Sequence, residues 1–154
     1  MSSELRGTPI KIVVAEDDID DQLLFTEALT YVKTRTYLVL VNNGEQLINL
    51  LKKAENDIPD IIFLDNNMPC VGGIECLVQI KENNYLDKIP CILISTSSHP
   101  ITIEKAFKEG ANLYVIKPDS FENWVKIIEK VLLIKWDDYF PPKRESFVLG
   151  EDSL

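Results

Sequence analysis

Five short, almost unbroken apolar runs recur along the chain: Ile10 to Ala15, Tyr37 to Val41, Ile61 to Leu64, Cys91 to Ile94 and Leu113 to Ile116. Each is too short for a helix and rich in β-branched residues, which predicts a strand. A strand that is apolar throughout, rather than at alternate positions, has to be covered on both faces, and that is the habit of parallel sheets. Between the runs lie segments with helical spacing: Leu23, Leu24, Ala28 and Leu29; Leu47, Ile48, Leu50 and Leu51; Ile74, Leu77, Val78 and Ile80; Ile103, Ala106 and Phe107. A fifth stripe, Trp124, Ile127, Ile128, Val131 and Leu132, follows the last run. Alternating strands and helices predict an α/β fold, a doubly wound five-stranded parallel sheet with right-handed crossovers. The breakers agree with this scheme. Asn43-Gly44 opens the second helix, Pro59 and Pro90 precede the third and fourth strands, and Pro118 follows the fifth.

A length of 154 residues with 45% hydrophobic and 27% charged composition suits one globular domain. The formal charge of −9 makes most of the surface repel a phosphate backbone, which argues against direct nucleic-acid binding. No apolar run reaches membrane-spanning length, and MSSELRGTPI lacks the basic-then-apolar order of a secretory signal, so a cytoplasmic location without membrane insertion is expected. Cys70, Cys76 and Cys91 are odd in number and form no CxxC pair, which speaks against a disulfide framework or a closed zinc site. Cys70 is expected in a surface loop. Periodicity ends at Lys135, so residues 1–136 are read as the domain and 137–154 as a C-terminal tail too short to be an output domain. Its aromatic cluster, Trp136, Tyr139 and Phe140, is expected to dock on the body.

Functional groups in an open parallel sheet gather at the carboxyl ends of the strands, near the point where strand order reverses. Glu16, Asp17 and Asp18 follow the first strand, Asp65 the third, Ser95 and Thr96 the fourth, and Lys117 the fifth. With strand order 2-1-3-4-5, Asp17 and Asp65 face each other across the crevice. Clustered carboxylates raise one another's pKa unless a cation intervenes, and Mg²⁺ is the natural resolution, because it needs only one or two carboxylates beside water and phosphate oxygens. Lys117 adds a point positive charge and Ser95 a hydroxyl. Such a site could accept a phosphoryl group and hold it as an acyl phosphate. Plainer readings exist for each part: Asp17 and Asp18 as helix caps with Asp20 and Asp21 at the positive helix end, Asp65-Asn66-Asn67 as a turn, Lys117-Pro118 as loop. The convergence of four strand ends favours the chemical reading.

These residues resemble the receiver domain of two-component response regulators, over roughly Ile10 to Lys135. The matching stretches are VVAEDD, FLDNNMP, CILIS and YVIKP. The resemblance implies a flavodoxin-like (βα)5 fold and a stand-alone receiver. It implies Asp65 as phosphoacceptor from a sensor histidine kinase or histidine phosphotransfer protein, and Mg²⁺ at Asp17, Asp65 and the backbone carbonyl of Asn67, with Glu16 orienting the hydrated ion. Lys117 and Ser95, with Thr96 beside it, would bind the phosphoryl group. Movement of Ser95 would vacate space for the Tyr114 ring, changing the face of the fourth helix, fifth strand and fifth helix that a downstream effector protein reads. The protein would not be an enzyme in the usual sense, but a phosphoacceptor that assists its own phosphorylation and dephosphorylation. In the loop after Asp65, Gly72 stands where the family usually has an Asp, with Gly73 as the family's glycine. His99 is expected to be an ordinary surface residue.

Two other readings compete. One is a receiver-shaped interaction module that works without phosphate. The other is an aspartate-nucleophile phosphatase of the haloacid-dehalogenase kind, which usually needs an acid where this chain has Asn67. The apolar stripe of the last helix also offers a possible homodimer face.

Overall fold

The computed structural model of the chain describes residues 8–55, 57–68 and 71–154; Cys70 lies outside them. The elements follow in the order β1 (Ile10–Ala15), α1 (Ile19–Leu29), β2 (Thr36–Val41), α2 (Gly44–Lys53), β3 (Ile61–Asp65), α3 (Gly73–Glu82), β4 (Cys91–Ser95), α4 (Pro100–Lys108), β5 (Leu113–Ile116) and α5 (Phe121–Leu132). Asp65 and Ser95 are the last residues of their strands. The helices begin where side chains satisfy their first free N–H groups. Asp18 accepts from Asp21 N–H at 3.0 Å, Asn43 from Gln46 N–H at 2.8 Å, and Ser120 from Asn123 N–H at 3.1 Å. His99, expected to be an idle surface residue, caps α4 by accepting the Ile101 N–H on Nδ1 at 3.1 Å, with Pro100 in the first turn.

All strands pair in parallel, in the order β2-β1-β3-β4-β5 with β6 (Val148–Leu149) beyond β5. Alternate residues of each strand feed two cores. Val13, Ala15, Ile62, Leu64 and Leu93 pack toward α2, α3 and α4; Ile12, Val14, Phe63, Ile92 and Ile94 pack toward α1 and α5. On the second side Phe25 meets Phe63 and Trp124 edge to face, with ring centroids 4.9 and 5.7 Å apart. This two-sided burial is why the strands carry so few polar residues, and it pins the register that sets their carboxyl ends side by side.

The sheet has six strands, not the five expected, because the tail contributes β6 (Val148–Leu149) beside β5, Tyr114 opposite Val148 and Val115 opposite Leu149. The tail first turns through a short 3₁₀ segment, Trp136–Tyr139, whose Trp136 and Tyr139 pack on the α1/α5 side, as docking predicts. The buried amide of Asn112 donates to Tyr139 C=O at 2.9 Å, and the Lys81 ammonium sits 5.0 Å from the centre of the Phe140 ring. A second 3₁₀ turn, Arg144–Ser146, leads into Phe147, which is fully buried against Phe107 and Tyr114.

One glycine ties the helical layer to the sheet. A Cβ on Gly73 would lie 2.6 Å from the carbonyl oxygen of Asp65 and 2.9 Å from Leu93 Cδ1, so the first turn of α3 can rest on the end of β3 only without a side chain. Gly73→Ala is expected to cost on the order of 1–3 kcal/mol of stability through this clash with backbone. Urea denaturation at constant m-value measures it.

Candidate functional site

The carboxyl ends of β1, β3 and β5 converge on one crevice. β1 delivers Glu16, whose backbone is held by its N–H to Val41 C=O at 3.0 Å. β3 delivers Asp65, in register with Ile94 of β4. The loop after β5 delivers Lys117, its backbone N–H on Ser95 C=O at 2.8 Å. Sheet hydrogen bonds thus place acid, phosphoacceptor candidate, hydroxyl and lysine before any of their side chains interact.

Carboxylate oxygens of Glu16, Asp17 and Asp65 all lie within 4.8 Å of one another. Glu16 and Asp65 are each only 5% exposed, whereas Asp17 faces solvent. The Lys117 ammonium reaches into this group, 3.4 Å from Glu16 Oε1 and 3.7 Å from Asp65 Oδ1. Its shortest contact is to Asp21 Oδ2, at 3.1 Å. Asp65 Oδ1 also accepts the Asn67 N–H at 3.2 Å, and Glu16 Oε2 the Asp18 N–H at 3.3 Å.

These contacts shift the charges in opposite directions. Burial, and then the adjoining Asp65 carboxylate, push Glu16 from 4.5 up to about 8; Lys117 and the Asp18 N–H only partly offset them. Burial would lower Lys117, but the carboxylates of Asp65, Glu16 and Asp21 outweigh it and hold the ammonium above its usual range. Lys117 therefore stays charged, and Glu16 keeps its proton near neutrality. Under-compensated oxygen donors, hard and converging from separate loops, fit a small oxygen-ligated divalent cation.

Ser95 is buried and its Oγ accepts the Ser97 N–H at 3.0 Å, so the hydroxyl at the end of β4 is held by its own loop. Thr96 is exposed, on the rim with Lys117. Tyr114 is fully buried, and its hydroxyl donates to Ser97 C=O at 2.7 Å. The ring lies inside, against Phe147. A small crevice of about 70 Å³ enters beneath the charges between Glu16, Asp21, Asp65 and Lys117, with Phe25 and Trp124 as apolar floor.

The structure brings Glu16, Asp17, Asp65 and Lys117 together, with Ser95 at the neighbouring strand end, and adds Asp21, which the sequence reading assigned to the helix end alone. The available signal was its place one helical turn beyond Asp17 and Asp18, on the face of α1 that starts at the site.

The residues 12–129 match the model of the response regulator receiver domain. Among sequence relatives, the probable methanogenesis regulatory protein FilR2 of Methanothrix harundinacea is 28% identical over 126 residues, covering 80% of this chain and 81% of that protein. Among solved structures, the phosphorylated cyanobacterial phytochrome response regulator RcpA superposes with a TM-score of 0.73 at 27% identity, covering 87% of this chain and 96% of its own. The Mn²⁺-bound response regulator Rcp1, a protein of Synechocystis sp., does so with a TM-score of 0.71 at 27% identity, covering 80% and 91%. A parallel sheet with this strand order, an acidic crevice at its carboxyl end and a family match across most of the domain lead to one assignment: the chain belongs to the response regulator receiver domains of two-component systems.

Proposed function

We propose that this chain is a phosphorylation switch in which Asp65 accepts a phosphoryl group from a histidine kinase or histidine phosphotransfer protein and thereby alters a protein-binding face. The observation that carries the reading is the meeting of the buried Asp65 with Lys117 at 3.7 Å inside a cluster of carboxylates. An Asp65 carboxylate oxygen would attack phosphorus in line; the P–O bond forms as the P–N bond to imidazole breaks, and the imidazole leaves with its electron pair and takes up a proton. Glu16, Asp17, Asp65 and the Asn67 carbonyl would hold Mg²⁺, which neutralises charge on the phosphoryl oxygens when bound. Lys117 would turn from Asp21 toward the phosphoryl group, and Ser95 Oγ would leave the Ser97 N–H to donate to a phosphoryl oxygen. Exposed Ile19 and Leu23 on α1 offer the donor protein an apolar foothold. RcpA in phosphorylated form and Rcp1 with Mn²⁺ support the reading by likeness.

With a small phosphodonor such as acetyl phosphate and Mg²⁺, intact-mass measurement should show one added phosphoryl group on the wild-type chain and none on Asp65→Asn. Equal labelling of the variant would remove Asp65 from the role.

Asp21 competes with the phosphoryl group for Lys117 and adds negative charge that an anion must meet. Asp21→Asn should therefore lower the beryllofluoride concentration needed for half-saturation, roughly threefold given the partial exposure of Asp21; a titration in Mg²⁺ followed by Trp124 fluorescence reads it.

The raised pKa of Glu16 gives the metal-free protein a signed pH dependence. The folded state keeps the Glu16 proton up to about 8, whereas the unfolded chain releases it near 4.5. The contribution is fully present below 4.5 and is lost as pH rises through about 8, so stability falls across that window. Denaturant midpoints at a series of pH values should show this decline without metal and a flatter profile with saturating Mg²⁺, which favours the ionised carboxylate.

A further inference from the structure

The face formed by α4, β5 and α5 is already occupied by the chain's own tail. Backbone N–H of Tyr114 donates to Phe147 C=O at 2.9 Å, and β6 continues the pairing along β5. Phe147 fills the gap between Phe107, 5.1 Å away edge to face, and Tyr114, at 6.2 Å between centroids. Arg144 lies over the Phe107 ring and pairs with Glu104 of α4 at 3.2 Å. At the far end Lys130 of α5 donates to Ser153 C=O at 3.0 Å. The tail thus spans all three elements.

It is also wired to both loops that would sense a phosphoryl group. The first link starts at Ser95, whose Oγ holds the Ser97 N–H; the Ser97 carbonyl in turn holds the Tyr114 hydroxyl, and Tyr114 holds Phe147 by ring and backbone. The second starts at Lys117, two residues before Asp119, whose N–H donates to Glu151 Oε1 at 2.7 Å. Because β6 runs parallel to β5, its end comes to the same edge as the site. A groove of about 380 Å³ there is shared by Thr96 and Lys117 with Gly150 and Glu151 of the tail.

We infer that the α4–β5–α5 surface is a docking site whose resident occupant is residues 144–153 of this chain, and that a phosphoryl group on Asp65 weakens its hold. The inference rests on the phosphorylation reading above. Drawing Ser95 Oγ and Lys117 toward the phosphoryl oxygens displaces the Ser97 carbonyl and the Asp119 N–H; the first displacement frees the Tyr114 ring on which Phe147 packs, and the second removes the Glu151 contact. By linkage the converse also holds: loosening the tail makes the site bind the phosphoryl analogue more tightly, by the same factor.

The test uses the full chain with Mg²⁺ and beryllofluoride. Fluorine NMR reports whether the analogue binds, and hydrogen exchange followed by mass spectrometry reports residues 144–153 and the Tyr114 amide. The expected result is a bound fluoride signal together with roughly tenfold faster exchange of those amides. Neither should occur in Asp65→Ala. A bound signal with unchanged or slower tail exchange overturns this inference and leaves the switch reading intact, whereas no bound signal removes both. Phe147→Ala should exchange fast without the analogue and bind beryllofluoride several-fold more tightly than wild type. Arg144→Ala, which removes the half-exposed pair with Glu104 and the contact over Phe107, should move affinity in the same direction by less. Unchanged or weaker affinity in both variants would also overturn it.

Discussion

The structure depends on an uneven charge balance at one edge of its sheet. Glu16, Asp21 and Asp65 share the Lys117 ammonium, and Asp17 adjoins them from the solvent side. Such a gathering would fly apart on a flexible loop. It persists because β1 and β3 are buried on both faces and hydrogen-bonded in register, so the carboxylates are held together by the burial of Ile12, Val14, Ile62 and Phe63, not by any attraction of their own. The repulsion is relieved within the chain by lysine and by the retained Glu16 proton, and what relief is still lacking is what a divalent cation and its phosphate can supply.

The pieces around the crevice divide the labour between rigidity and movement. Gly73 lets α3 sit directly on the Asp65 carbonyl, which fixes the phosphoacceptor candidate. Ser95 and Lys117 are differently placed. Ser95 accepts the Ser97 N–H and Lys117 pairs with Asp21, contacts that an anion at the crevice would compete with. Asp21 divides the Lys117 ammonium between itself, Glu16 and Asp65.

Much of this was legible in the sequence, for a reason that also explains what was not. Strands that are apolar on both faces announce themselves in four or five residues, and the polar residue that ends each one must lie at the sheet edge; Asp65, Ser95 and Lys117 could be placed on that ground alone. Val148 and Leu149 leave no such trace, because two residues carry no period and their pairing partner, β5, is remote in sequence. Asp21 was hidden by a competing local explanation, since an acid in the first turn of a helix is already accounted for by the dipole. The cap formed by His99 escaped notice because histidine is an uncommon cap and its Nδ1 geometry is a matter of backbone conformation.

The tail that covers α4, β5 and α5 sets what a phosphoryl signal at Asp65 would have to accomplish. The tail is held by a two-residue ladder, by the half-exposed Arg144–Glu104 pair and by Phe147. An exposed pair of that kind contributes about 0–1 kcal/mol. A fully buried phenylalanine or leucine contributes about 1.5–3 kcal/mol, so Phe147 and the buried Leu149 carry most of the hold. Couplings between distant sites typically amount to about 1–3 kcal/mol, the size of either of these two anchors. A tail docked through a larger apolar surface could not be dislodged by such a coupling, and one docked without Phe147 would be loose in both states. A short strand anchored by Phe147 and Leu149, seated on the residue whose hydroxyl holds the Ser97 carbonyl, is a small enough contact that gain or loss of a single phosphoryl group would bear on whether the face is covered.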